Sequence, residues 1–479
     1  MYKTKDGLIF RTKPWKHQLA ALRYLMDEEH SSAALLLKMG AGKTKIWIDL
    51  INNKGFDLTL IVCPYKAARV WLKQFPIHSV NQSIFVYNLC EHSSKEKVEA
   101  MKKHLKERKS GCKIVYIVNY DSIWREPFRS YIKDKVKFDA IICDESHRLK
   151  SPSSKVSKFM QVLGRRCEHR YIATGTLLAQ TPLDVYAQYR FMNPTVFGTN
   201  YENFSRRYTN VDVYKTMRLG YTVLDEKEPY INLDDLRERI MSCAFSVDAE
   251  LDLPPTRDIH VEFDLSPKIE RMYKEIQKEG AVELSNGTME INNVLSMVLR
   301  LQQLTSGFIQ LEDEYGNRSI EMLDEARCKA LEDLLMDLPI DEPVVVFARF
   351  RQDIKNIRRV CKDTGRKCSE ISGRCDEYDD WDQGKTSVLI VQIEAGAEGL
   401  DFTRAKYAIY YTLTHKLWQY TQSRKRLHRP GQSSEVTYYI LLGKLRRGKS
   451  VDEGILDSLN KNENFIQKVI AEKAYKKMP

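Results

Sequence analysis

The sequence predicts an α/β protein, with two parallel-sheet lobes in tandem and a helical insertion between them. Three observations point there. Short runs rich in Val, Ile and Leu alternate with helical periodicity through the first part of the chain, the same texture returns near its end, and the stretch between is richer in charge and helical pattern. At 479 residues the chain also has the length for two or three cores, since one domain takes ~100 to 200 residues.

The first lobe is read as 1–196, with buried strands at 34–37, 58–63, 114–118, 138–143 and 171–173. Helices covering them are expected at 45–51, 66–75 and 94–109. The insertion and connection run from 197 to 322, with helices at 233–241 and 268–278 and a polar break at 252–256. The second lobe, 323–479, carries strands at 343–347, 388–392, 407–411 and 435–442, a helix at 417–429, and a Lys-rich end at 472–479 that should fray. No repeat recurs at a fixed period.

Composition narrows the class. With 43% hydrophobic and 29% charged residues the chain reads as soluble and globular, not disordered or fibrous. Nothing approaches the ~18 apolar residues of a membrane span, and the opening MYKTKDGLIFRTKPWKHQ lacks a signal-peptide core, so a cytoplasmic protein without membrane contact is expected. The net charge of +11 permits nucleic-acid binding without requiring it. The ten cysteines are scattered with no C-x-x-C pair, which argues against a zinc site or a disulfide framework.

Three constellations carry chemistry. Met39-Gly40-Ala41-Gly42-Lys43-Thr44 stands between an apolar run and a helix, the context of a phosphate loop. Glycines let backbone N–H groups close on phosphate, Lys43 supplies a point charge, and the Thr44 hydroxyl can ligate Mg²⁺. Leu37 stands where the full pattern has its first glycine. The second constellation is Asp144-Glu145-Ser146-His147, delivered at the carboxyl end of a buried strand, where open α/β sheets bind ligands. There Asp144 would hold Mg²⁺ and Glu145 would orient and deprotonate an attacking water. Upstream, the Gln18 amide suits an adenine edge, with Trp15 or His17 to stack nearby. The third is Gln422, Arg426 and Arg429, spaced to share one helix face before the Pro430-Gly431 stop. A solvated basic face is the plainer reading of such a helix. On a second lobe facing a phosphate loop, the same arginines would stabilise a transferring phosphoryl group, an effect of ~10³ to 10⁵ in rate.

With these in order, the chain resembles the Swi/Snf-type branch of superfamily 2 helicase-like ATPases over nearly its whole length. The matching segments are KPWKHQ (13–18), MGAGKT (39–44), VCPYKAARVWLKQF (62–75), NYDSI (119–123), DESHRLKSPSSK (144–155), ATGT (173–176), LPPT (253–256), VVVFARF (344–350), AGAEGLDFTRA (395–405) and QSRKRLHRPGQ (422–432). DESH and the segment 182–186 resemble in particular the annealing-helicase or fork-remodelling subgroup. The resemblance implies RecA-like lobes, ATP and Mg²⁺ as cofactors, and nucleotide contacts at Gln18, Met39, Gly40, Ala41, Gly42, Lys43, Thr44, Asp144, Glu145, Gly399, Asp401, Arg426 and Arg429. Lys43, Asp144, Glu145, Arg426 and Arg429 would be catalytic, Thr44 and Asp144 the metal ligands. Thr174, Gly175, Thr176 and Gln422 would couple hydrolysis to DNA. Leu177, Gln392, Asp401, His415 and Lys425 depart from the usual pattern, and none removes a catalytic group.

The function implied is an ATP-dependent double-stranded DNA translocase acting on forked or branched DNA in replication, recombination or repair. It would be a monomer from a bacterium or phage, with replication or recombination proteins as further partners. The length leaves no room for histone-reading modules. A strand-separating helicase and a nucleotide-gated DNA-binding subunit of a larger complex are the alternatives.

Overall fold

Leu58, Leu60 and Val62 point to one side of their strand, Ile61 and Cys63 to the other, and all five are buried, in two separate apolar clusters. A strand apolar on both faces belongs inside a sheet covered on both sides. The computed structural model describes residues 1–471 apart from 39, 82, 176, 178–180, 220–221, 226–227, 248–252, 280, 285–286, 291–293, 313–317 and 397–399. It contains two compact units, Met1–Leu251 with Asn464–Pro479, and Asp252–Glu463.

In the first unit, β1 (Ser32–Leu36), β2 (Leu58–Cys63), β3 (Ile84–Asn88), β4 (Lys113–Asn119), β5 (Ala140–Asp144), β6 (His169–Ala173) and β7 (Ala244–Ser246) form one parallel sheet. Its order is β3-β4-β2-β5-β6-β1-β7. One face is covered by α1 (Lys16–Met26), α2 (Lys43–Lys54) and α3 (Ala67–His78), through Leu22, Ile46, Trp47, Trp71 and Phe75. The other is covered by α4 (Ser94–Lys106), α5 (Phe128–Lys135), α6 (Lys155–Gly164) and α7 (Val185–Met192), through Met101, Phe128, Met160 and Tyr189. In register, Leu35 lies opposite Ala173, Ala173 opposite Asp144, and Cys143 opposite Val62. The carboxyl ends of β1, β2, β5 and β6 therefore reach the same edge, and so do the loops that follow them.

The second unit repeats the plan. β8 (Thr256–Asp264), β9 (Val344–Ala348), β10 (Cys368–Ile371), β11 (Val388–Gln392), β12 (Tyr407–Tyr410) and β13 (Val436–Lys444) form a parallel sheet in the order β8-β13-β12-β9-β11-β10. On one face Leu331 and Leu335 of α8 (Ala326–Asp337), with Ile354 and Ile357 of α9 (Arg351–Asp363), pack on Val344, Val346, Ile390 and Ile409. These are the two RecA-like parallel-sheet lobes the sequence predicted. From 201 to 322 the chain adds helices at Tyr201–Tyr208, Val213–Leu219, Leu233–Met241, Pro267–Glu279 and Val294–Thr305, and two antiparallel hairpins, Ala281–Leu284 with Gly287–Glu290 and Phe308–Glu312 with Arg318–Met322.

Among the strands of these two sheets four were not anticipated, and neither were the antiparallel pairs Tyr2–Lys3 with Ile9–Phe10, Ala281–Leu284 with Gly287–Glu290, and Phe308–Glu312 with Arg318–Met322. β8 lies next to the supposed polar break, where Ile259, Val261 and Phe263 alternate with charged neighbours in the pattern of a half-covered edge strand. β3, β7 and β10 are short and lie at or next to a sheet edge, where few apolar residues are demanded. Among the described residues no helix is long and apolar enough to cross a membrane.

Candidate active site

The phosphate-loop sequence turns sharply at glycine. Gly40 has φ +83° and Gly42 φ +73°, both left-handed, and Gly42 is the N-cap of α2. A side chain on Gly42 would be strained by that φ, and its Cβ would lie 2.2 Å from Gln18 Nε2, forcing that amide to move. The α2 N-terminus thus presents its first amides and dipole at the sheet edge, as an anion requires. Leu37, in place of the pattern's first glycine, is 1% exposed in the core, and its backbone is not left-handed, so no glycine is needed there. Lys43 donates from Nζ to the carbonyls of Leu37 at 3.1 Å and Lys38 at 3.3 Å. These neutral acceptors are weaker partners for an ammonium than phosphate oxygens. Thr44, in the first turn of α2, is partly exposed. Met39 lies outside the described residues.

Gln18 packs directly on this loop. Its Oε1 accepts the Trp15 backbone N–H at 2.9 Å, its Nε2 donates to the Ala41 carbonyl at 3.3 Å, and His17 Nε2 stands 2.8 Å from the same oxygen. Trp15 is 47% exposed and its ring lies 5.5 Å from that of His17.

β5 ends on Asp144, which is 9% exposed. Its Oδ1 accepts the Glu145 backbone N–H at 3.1 Å and its Oδ2 accepts the Trp71 indole N–H at 3.1 Å. Burial and the neighbouring Glu145 push this carboxyl up to about 6, while the charge of Lys43 pulls the other way. Glu145 itself sits at φ +51°, one of two left-handed non-glycine residues among those described. Such a backbone costs of order 1–3 kcal/mol and persists only where surroundings enforce it. Here they do: Tyr120 O–H donates to the Asp144 carbonyl at 2.8 Å, and Ser146 Oγ donates to Gln188 Oε1 at 2.7 Å. Gln188 is anchored in turn by the Leu177 and Asp184 carbonyls, both at 2.9 Å.

From Glu145 a polar path leads to the loop after β6. Its Oε2 lies 3.3 Å from His147 Nδ1, which lies 3.5 Å from Thr174 Oγ1, and His147 and Thr174 are both buried. Gly175 follows, half-buried; Thr176 lies outside the described residues. The first unit therefore brings Gln18, Ala41, Gly42 and Lys43 together, and Asp144, Glu145 and Thr174 together, with the charge of Lys43 acting on Asp144. Sequence reasoning missed Trp71, Tyr120 and Gln188. The first two stand inside segments that matched the family pattern, but nothing in spacing says that they meet the acidic loop.

In the second unit, the helix expected over 417–429 ends at Leu427 (α10, Leu417–Leu427). The residue before a proline is disfavoured in helix, so Pro430 turns Arg429 out of it. Arg429 is thus off the helix, not on a shared face with Gln422 and Arg426. It comes to Asp401, its Nη1 lying 3.6 Å from Oδ2. Arg426, 7% exposed, donates to the Leu400 carbonyl at 3.2 Å. Gln422 is 1% exposed, and its Oε1 finds no partner among the described residues. The two arginines so flank the loop after β11, whose Gly399 lies outside the described residues. Arg424, two residues before Arg426, is structural: it pairs with Asp258 at 2.6 Å and 3.0 Å and stacks 3.9 Å from the Tyr438 ring centre.

Comparison with known proteins fits this arrangement. A family described as the SNF2-related domain matches residues 17–307, and the helicase conserved C-terminal domain matches 326–431. An ISWI chromatin-remodeling complex ATPase of Saccharomyces cerevisiae is 24% identical over 95% of this chain and 40% of its own length. An uncharacterized ATP-dependent helicase of Mycoplasma pneumoniae is 23% identical, over 93% of this chain and 41% of its own. Putative protein p41 of Acyrthosiphon pisum secondary endosymbiont phage 1 is 23% identical over 97% of this chain and 98% of its own. The chain thus spans about 40% of the length of the first two relatives. With residues 17–307, more than half of the 479, inside the first match, the chain belongs to the SNF2-related family.

Proposed function

We propose that the chain is an ATP-driven DNA motor of the helicase-like kind, a translocase on double-stranded DNA that acts on forked or branched substrates by branch migration, fork remodelling or annealing. The observation that carries the hydrolytic part is the pairing of a left-handed Gly40–Gly42 loop with Asp144 and Glu145 at one sheet edge, close enough for Lys43 to lower the Asp144 carboxyl against its burial. Lys43 exchanges its loop carbonyls for phosphate oxygens, and the α2 N-terminus meets the same anion. Glu145, fixed at its strained backbone, orients water for in-line attack on the terminal phosphorus and takes its proton. Thr44 and Asp144 offer a hydroxyl and a carboxylate, the hard oxygen donors that Mg²⁺ prefers, so the donor set fits that ion. Bound there, it neutralises charge on the phosphates. Arg426 and Arg429 serve as the arginines that stabilise charge on the transferring group. Thr174, through His147, links Glu145 to the loop after β6, the path along which hydrolysis is coupled to DNA.

The test is ATP hydrolysis at low salt with single-stranded, duplex, forked and four-way DNA. Forked or four-way DNA should stimulate most. Stimulation by single strands alone, with displacement of a strand from a tailed duplex but not of a triplex strand, would favour a strand-separating helicase. Binding without turnover would favour a nucleotide-gated DNA-binding subunit.

A further inference from the structure

Trp71 lies on α3, in the middle of the helix, and is fully buried, yet it does more than fill space. A buried indole N–H usually finds an acceptor. In the same unit the indoles of Trp47 and Trp71 differ on this point: Trp47 Nε1 finds no partner among the described residues, while Trp71 Nε1 donates to Asp144 Oδ2 at 3.1 Å. The acceptor is a carboxylate that is itself buried, and its second oxygen is turned to the Glu145 backbone N–H. These two donors sit on different elements, one on a helix following β2 and one on the chain after β5. Together they fix the plane of the carboxylate, and neither alone would do so.

We propose that Trp71 is a positioning residue for Asp144: its indole N–H holds Oδ2, so that the carboxylate keeps one orientation toward the metal ion of a metal–nucleotide complex. The inference rests on the reading of Asp144 as a metal ligand. It follows from a general feature of metal sites, in which a ligating group is oriented by an outer hydrogen-bond donor whose loss costs about 10- to 100-fold in metal affinity. Phe75, one turn on along α3, shares the apolar contact, its ring 6.0 Å from that of Trp71, but has no donor. It separates packing from hydrogen bonding.

The experiment measures equilibrium binding of a fluorescent, non-hydrolysed ATP analogue as a function of Mg²⁺ concentration, for the wild type, Trp71→Phe, Phe75→Leu and Asp144→Asn. In Trp71→Phe the Mg²⁺ concentration for half-maximal binding should rise about tenfold, with analogue affinity in EDTA unchanged. Phe75→Leu should lower thermal stability and leave the Mg²⁺ dependence at the wild-type value. An unchanged Mg²⁺ dependence in folded Trp71→Phe overturns the positioning role, and so does an equal shift in Phe75→Leu, which would assign the effect to packing. If Asp144→Asn also leaves it unchanged, the metal-site reading itself falls, a separate outcome.

A second measurement does not depend on Trp71→Phe folding. In wild-type protein labelled with ¹⁵N-tryptophan, the six tryptophans give six indole signals. One of them should move in Asp144→Asn, and the same one should move when Mg²⁺ joins the nucleotide complex. If none moves in Asp144→Asn, the contact is absent and the proposal is overturned.

Discussion

Glu145 and Asp353 are both acids in places that disfavour them, and each predicts something different. Glu145 is held in a left-handed backbone at φ +51° and has His147 Nδ1 3.3 Å from its Oε2, the setting of a side chain fixed for a task. Glu145→Gln keeps the shape and removes the base. It should reduce ATP hydrolysis by about 10²- to 10⁴-fold while nucleotide affinity stays near the wild-type value, which steady-state rates beside equilibrium binding would check. Asp353 is not among the candidate site residues. It is fully buried on α9, accepting from Thr412 Oγ1 and the Phe350 N–H, with Arg327 and Ser306 near, and burial pushes its carboxyl up from 3.8 to about 6. Between those values the folded chain keeps a proton that the unfolded chain releases. The group's stabilising contribution is therefore complete below about pH 4 and lost as pH rises through about 6, on the order of 3 kcal/mol. Urea midpoints of Asp353→Asn should fall less steeply than the wild type's between about pH 4 and 6; parallel curves would refute it. At this scale the sequence pointed to Lys43, Asp144 and Glu145, because each stands in a contiguous motif whose chemistry depends on its neighbours. It could not reveal Trp71, Tyr120 or Gln188, since their partners lie 24 to 73 residues away or across the sheet edge.

At the scale of elements, one side chain ties the second unit's core together. Arg327 opens α8 and is buried with Asp452, which it meets in an ion pair, while also donating to the carbonyls of Thr305 and Tyr411. Asp452 in turn accepts from Thr305 Oγ1 and the Gly443 N–H. Both Asp452 oxygens and all three guanidinium nitrogens therefore have partners, the condition under which a buried pair is tolerated. Arg327→Leu strands a buried carboxylate and should lower stability by about 3 to 5 kcal/mol, whereas Arg327→Leu with Asp452→Leu together should recover much of that. Denaturation midpoints decide it, and a single variant as stable as the wild type would show the pair to be dispensable. Regular elements were legible wherever apolar residues had to fill both faces of a strand, as in β2 and β11. They were not where only half a strand is covered, as in β8, nor at the end of α10, where Pro430 acts one residue upstream of itself.

For the whole molecule, the repeated pattern of apolar strand and covering helix was enough to read two parallel sheets from the sequence alone, because the central strands must be buried on both faces. The order of strands within each sheet was not readable, since parallel neighbours are joined by long crossovers that leave no local trace. The net charge of +11 gives the proposed motor a dependence of its own: if phosphate contacts dominate its hold on DNA, the DNA concentration for half-maximal stimulation should rise steeply with salt, while hydrolysis without DNA changes little. In the proposed function ATP is hydrolysed at the Lys43 loop in response to duplex DNA. The most direct measurement is the initial rate of ATP hydrolysis at low salt, with and without duplex DNA, for the wild type and Lys43→Ala. Duplex DNA should raise the wild-type rate, and Lys43→Ala should stay at background in both conditions; a rate indifferent to DNA, or a Lys43→Ala protein that hydrolyses ATP like the wild type, would overturn DNA-driven hydrolysis at this loop.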